Sequence, residues 1–152
     1  WINSRTPGRM LLREQAPGPA DAIVAADTVV YLDGDILEKP VSAEDAAAML
    51  RRLSGRENTV CTGVAVVYQG RLHSFTCKTE VRFYDLTEAE IAEYVASGEP
   101  MDKAGAYAIQ GRGALLVREI RGDYCNVVGL PVAPLFRLLR ELGVPLKEGG
   151  RA

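Results

Sequence analysis

TVCTGVAVVYQGRLHSFTCKTEVRFY, Thr59 to Tyr84, decides the fold. Two runs rich in β-branched and aromatic residues meet at Gln69–Gly70, the pattern of two long strands joined by a tight turn. In the second run Phe75, Cys77, Val81 and Phe83 point one way, while Lys78, Glu80 and Arg82 point the other. One face is expected to be core and the other wet or functional. A chain built on such a ribbon needs helices to cover it.

Those helices are legible on either side. Upstream, AIVAADTVVYL, Ala22 to Leu32, reads as a strand covered on both faces, and LDGDIL carries an Asp–Gly hairpin signal. SAEDAAAMLRRLSG follows, with Ser42 as N-cap, Ala46, Met49, Leu50 and Leu53 on one face, and Gly55 as the stop. Downstream, TEAEIAEYVASG repeats the capping logic with Thr87 and Glu90, turns Ile91, Tyr94 and Val95 inward, and ends at Gly98. A glycine-rich loop then leads to a strand, ALLVREI, a turn at Gly122–Asp123, and the helix PVAPLFRLLRELG with Leu135, Leu138, Leu139 and Leu142 on its apolar stripe. Strands mixed with helices give an α/β or α+β fold, a mixed twisted sheet flanked by helices in a single domain over residues 1–152. Residues 1–21 form an atypical N-terminal segment, and the tail 144–152 is expected to fray.

Composition narrows the function. With 47% hydrophobic and 25% charged residues and no apolar run approaching the ~20 residues of a membrane span, a soluble protein is expected. The start, WINSRTPGRMLL, lacks the basic-then-apolar order of a secretory signal. Cys61, Cys77 and Cys125 are odd in number and without CxxC spacing, against a disulfide framework or zinc site, so a reducing cytoplasm is the expected home. A net charge of −2 speaks against nucleic-acid binding; an anionic ligand would need a local cluster of Lys and Arg. His73, the single histidine, sits in alternation with Phe75 and Cys77, which suits a half-buried strand residue rather than a triad.

Four short features could carry chemistry. Asp27 interrupts an apolar strand, where an ionised carboxylate needs a cation, a metal or backbone N–H donors to meet it. Lys39, in ILEKP, reads either as a solvated lysine or as one aimed at an anion. Lys103 lies beside Gly105, Gly111 and Gly113, whose backbone freedom allows close approach of a ligand and N–H groups turned toward anions. Gln110 presents a donor and an acceptor together, suited to an amide or imide edge of a base, or it bonds its own loop. GxxxxGK[ST] is absent, so this is no P-loop.

Taken in order, ADTVV (26–30), ILEKP (36–40), RRLSG (51–55), TGVAVV (62–67), ASGEPMDKAGAYAIQGRGALLV and GDYCNVVGLP resemble the Maf family of nucleoside triphosphate pyrophosphatases over about Ala22 to Gly143, in the dTTP/UTP branch. The resemblance implies a cleft between two lobes, a divalent metal cation (Mg²⁺ or Mn²⁺), a nucleoside triphosphate as substrate and a possible homodimer. It implies that Asp27 is the proton acceptor, that Thr28 and Gln110 set substrate specificity, and that Lys39 and Lys103 face the phosphates. Near the start, SRTPGRMLL resembles the family's SxSPRR in weakened form: Ser4, Thr6, Pro7 and Arg9 fit, Arg9 as a phosphate ligand, while Gly8 replaces the first arginine. Such a loss removes a bidentate phosphate partner worth about 1.5 to 3 kcal/mol. Two readings therefore stand: an active pyrophosphatase, or a catalytically impaired relative that binds nucleotide or a division partner.

Overall fold

The computed structural model describes residues 21–146; Arg9 and the rest of the SRTPGR segment lie outside the described residues. Five strands, β1 (Ile23–Leu32), β2 (Asp35–Leu37), β3 (Glu57–Tyr68), β4 (Arg71–Phe83) and β5 (Val117–Arg121), form one sheet in the order β2-β1-β3-β4-β5. Helices α1 (Ala43–Leu53), α2 (Glu88–Ala96), α3 (Tyr124–Val128) and α4 (Val132–Glu141) flank it. The α/β class is as expected. Every pairing among the described residues is antiparallel, so the parallel component of a mixed sheet is not found among them.

The β3–β4 ribbon forms as its sequence dictates. Gln69 and Gly70 take φ of 48° and 73°, the left-handed pair that lets a two-residue turn follow the twist of both strands. Asp33 and Gly34 do the same between β1 and β2. Both helix starts close as the spacing predicts: Ser42 accepts from the Asp45 N–H, and Thr87 and Glu90 form a reciprocal capping box.

Register places the core. Val24, Ala26, Thr28 and Val30 lie opposite Val66, Val64, Thr62 and Val60, so these even-numbered residues share one face. At one end of that face Val30, Val60, Val81 and Phe83 pack with Leu50 and Leu53 of α1 and Ile91 and Tyr94 of α2. At the other end Val64 and Val66 pack with Leu135, Leu138 and Leu139 of α4. Thr28, Thr62 and Thr79 separate the two apolar clusters, and α3 seats the buried Asn126 over them.

Three expectations change. β1 is not covered on both faces: Asp27 and Tyr31, on the odd-numbered face, are exposed. ALLVREI is not one strand, since Gly111–Leu115 is a 3₁₀ turn, Leu115 is 80% exposed and β5 begins at Val117. The turn is held just ahead of that run, where Glu99 accepts the N–H groups of Arg112 and Gly113 at 3.0 and 2.9 Å, and within it the Leu116 N–H donates back to the Gly113 carbonyl. Finally, Gly122–Asp123 is more than a turn: Asp123 caps α3 by accepting from Cys125 and Asn126.

Candidate active site

The site begins along the edge of β1 next to β2. β1 pairs with β2 through Val30, Tyr31 and Leu32, and among the described residues nothing pairs with the same edge at Asp27 and Thr28. Neighbouring residues of a strand face opposite sides, yet at such an edge both can line one hollow. A cavity of about 270 Å³ lies there, and it gathers Asp27, Thr28, Lys39, Lys103 and Gln110 along its wall. These five candidates come from three separated stretches of chain. Asp102 joins them, with Val127, Val128 and Gly129 of the α3 turn.

The lining is graded. Val30, Val60, Tyr107 and Ile109 are buried, whereas Asp27, Lys39, Asp102 and Gln110 are exposed. An apolar floor under a charged rim suits a ligand with one flat apolar part and one ionic part. Asp27 is therefore not the buried carboxylate that its apolar neighbours suggested. Its Oδ1 accepts the Thr28 N–H at 3.0 Å, and its exposure leaves it open to water.

Asp102 and Lys103 form a close pair, the Lys103 Nζ lying 2.8 Å from both carboxylate oxygens. That bond chiefly, with the charge of Lys39 adding to it, holds the Asp102 carboxyl below its usual range. Among the described residues, the charged groups in the lining are two ammonium groups and two carboxylates, which cancel formally.

The loop carrying Lys103 and Gln110 is bolted to the core. The Tyr107 hydroxyl donates to Asn58 Oδ1 at 2.9 Å, Asn58 donates on to the Val81 carbonyl, and the Tyr107 ring meets Phe83 edge to face at 4.8 Å. Burial pushes the Tyr107 phenol up, so it stays neutral. Gly105 takes φ of 71° against Val30 and donates its N–H to the Glu38 carbonyl, tying this loop to the segment bearing Lys39. Beyond Gln110, Gly111 takes φ of 66° and the next two N–H groups converge on Glu99. An anion is indeed cradled by these glycines, but it is the protein's own carboxylate. Burial raises the Glu99 carboxyl, and donors from Gly113, Arg112 and Tyr94 outweigh that effect and leave it lowered.

Reading the sequence missed Asp102, Glu99, Thr62 and Asn126. Asp102 had a signal in the adjacent acid–base pair Asp102–Lys103. The other three act on backbone or on neighbouring hydroxyls, which spacing does not reveal.

Comparison with known proteins identifies the family. The profile of the family described as Maf-like protein matches residues 8–142. A dTTP/UTP pyrophosphatase of Geobacillus sp. (strain WCH70) is 55% identical over 125 residues, covering 82% of this chain and 67% of that protein. A dTTP/UTP pyrophosphatase of Carboxydothermus hydrogenoformans is 57% identical over 123 residues, covering 80% and 66%. One from Aromatoleum aromaticum is 52% identical over 128 residues, covering 84% and 62%. The chain thus spans about two thirds of the length of these curated relatives. By a profile match across most of its residues and by identity above half with such relatives, the chain belongs to the Maf-like protein family.

Proposed function

We propose that the protein is a nucleoside triphosphate pyrophosphatase acting on dTTP and UTP, releasing the nucleoside monophosphate and pyrophosphate. The observation that carries this reading is the single cavity lined at once by Asp27, Lys39, Lys103 and Gln110. Relatives more than half identical bear the name dTTP/UTP pyrophosphatase, which supports the choice of substrate.

In this reading a water molecule attacks the α-phosphorus. Its oxygen forms the new P–O bond, its proton passes to the Asp27 carboxylate, and the bond from the α-phosphorus to the bridging oxygen breaks as pyrophosphate leaves. Lys39 and Lys103 stabilise the negative charge spread over the phosphoryl oxygens. Gln110 and Thr28 meet the base, and the apolar floor takes its ring. Before Lys103 can turn to a phosphate it must leave Asp102.

A divalent cation fits this site. Two exposed carboxylates in the lining, Asp27 and Asp102, are the hard oxygen donors that Mg²⁺ or Mn²⁺ takes, and the ion would offset part of the charge of a triphosphate. Among the described residues no cluster of three or more His, Cys, Asp or Glu forms a complete protein cage, so phosphate oxygens would supply further ligands. When bound, the ion supplies charge neutralisation and a lower pKa for a coordinated water. Among the described residues no helix is long and apolar enough to cross a membrane.

Pyrophosphate release from dTTP, UTP, CTP and GTP with Mg²⁺ or Mn²⁺ tests the reading. Turnover of dTTP and UTP is expected, and Asp27→Asn should lower kcat at least about 100-fold. Full activity in Asp27→Asn would show that the base is wrongly assigned. Nucleotide-dependent thermal stabilisation without turnover would favour the binding-only alternative.

A further inference from the structure

The hydroxyl of Thr28 lines the cavity, but its proton is engaged elsewhere. Thr28 Oγ1 lies 2.8 Å from Thr62 Oγ1 and 3.3 Å from the Gly129 carbonyl oxygen. Thr62 Oγ1 in turn lies 3.3 Å from the Asn126 carbonyl oxygen. Two hydroxyl protons therefore serve one hydroxyl–hydroxyl bond and two carbonyls that can only accept.

Two arrangements satisfy the chain. Thr28 donates to Thr62 and Thr62 to Asn126, or Thr62 donates to Thr28 and Thr28 to Gly129. In both, the Thr28 proton stays within the protein, and a lone pair is what the cavity meets. Thr62 is fully buried and has no water to turn to, so the chain cannot relax by solvation. Its two terminal carbonyls are fixed as well. The fully buried Asn126 side chain donates to the Val60 carbonyl at 3.1 Å and to Thr79 Oγ1 at 3.0 Å, which clamps α3 to the sheet.

We propose that Thr62 is a positioning residue that holds Thr28 as a hydrogen-bond acceptor toward a bound base. The cavity then favours an edge carrying a ring N–H, the imide of uracil or thymine, over cytosine, whose corresponding ring nitrogen carries no hydrogen. This rests on the nucleotide-pocket reading above and adds to it a residue without direct access to the ligand.

The test is equilibrium binding of α,β-imido analogues of UTP and CTP, which bind without turnover. The unaltered protein is expected to prefer the uracil analogue. Thr62→Val, equal in shape but without the hydroxyl, should narrow that preference by about fivefold to tenfold, the range of one net hydrogen bond. Thr62→Ser should restore it, and Thr62→Ala, as a second variant, should shift it in the same direction as Val. In a Thr28→Val background the Thr62→Val change should leave the preference unmoved, because its effect runs through Thr28. A lowered melting temperature with unchanged preference would reduce Thr62 to a packing role and overturn the inference. Equal binding of both analogues by the unaltered protein would overturn it while leaving the pyrophosphatase reading intact; failure to hold either would overturn both.

Discussion

Glu99 shows how much one residue can organise. Its Oε1 accepts from the Gly113 N–H and the Tyr94 hydroxyl and its Oε2 from the Arg112 N–H, so one carboxylate closes the loop just beyond Gln110. Tyr94 passes the restraint on, accepting the Ala108 N–H at 3.2 Å. Glu99→Gln replaces an acceptor oxygen with an NH₂ group that meets an N–H or O–H donor. We expect a loss of about 1 to 3 kcal/mol in denaturant unfolding, the cost of an orphaned donor, together with a raised KM for UTP as the Gln110 backbone loosens. Unchanged stability and KM would show that Tyr107 and the Gly105–Glu38 bond hold the loop without Glu99.

At the level of elements, the 3₁₀ turn Ala104–Ala106 is the joint between the glycine-rich loop and β1. A Cβ at Gly105 would meet the three branched carbons of Val30 at 3.0 to 3.1 Å, and φ of 71° is costly for any other residue. Gly105→Ala is expected to cost about 1 to 2 kcal/mol from the left-handed backbone, with the contact adding to it. Chemical denaturation measures this directly; a midpoint equal to that of the unaltered protein would mean that the turn re-forms elsewhere. The same logic explains why the ALLVREI run is split. A strand needs its N–H groups for a ladder, and here Glu99 holds the backbone just ahead of the run at Arg112 and Gly113 while the Leu116 N–H donates back to the Gly113 carbonyl.

Across the whole molecule, ionisable groups set a stability window. Glu88 is lowered by its bond to Arg51, Glu90 by the Thr87 backbone, Asp102 by Lys103, and Glu99 by its three donors in spite of burial. Each has a folded value below its unfolded one, so its contribution is present above the ordinary carboxyl value and lost as pH falls through the lowered folded values. Tyr94 and Tyr107 are raised above the ordinary 10.0 by burial, so their contribution is present below that pH and fades as pH rises beyond it. Thermal melts from pH 2 to pH 11 should give a plateau between about 5 and 9.5, falling on both sides. Glu99→Gln should flatten part of the acid limb, and an acid limb identical in that variant would show that other carboxylates carry the transition.

Local structure was written in the order of the residues. Alternation in Thr59–Tyr84, the glycines at both hairpins, the capping residues Ser42 and Thr87 and the leucine stripe of α4 each depend on neighbours a few positions away, and each formed as its chemistry requires. Asp27 was also visible there as a carboxylate in an apolar strand, Lys39, Lys103 and Gln110 as residues open to either an ordinary or a functional reading, and Thr28 through the family resemblance. Their meeting in one cavity was not, because it follows from the register of β1 on β3, from the pairing of β2 with β1 only at Val30 to Leu32, and from the Gly105 contact that lays the loop against Val30. Tertiary contacts alone settled that Asp27 is exposed rather than buried, that Glu99 takes the N–H groups of the glycine-rich backbone, and that a buried threonine lies against the Thr28 hydroxyl. Each of these is a contact between distant parts of the chain, and its energy depends on distance and direction that residue order does not contain.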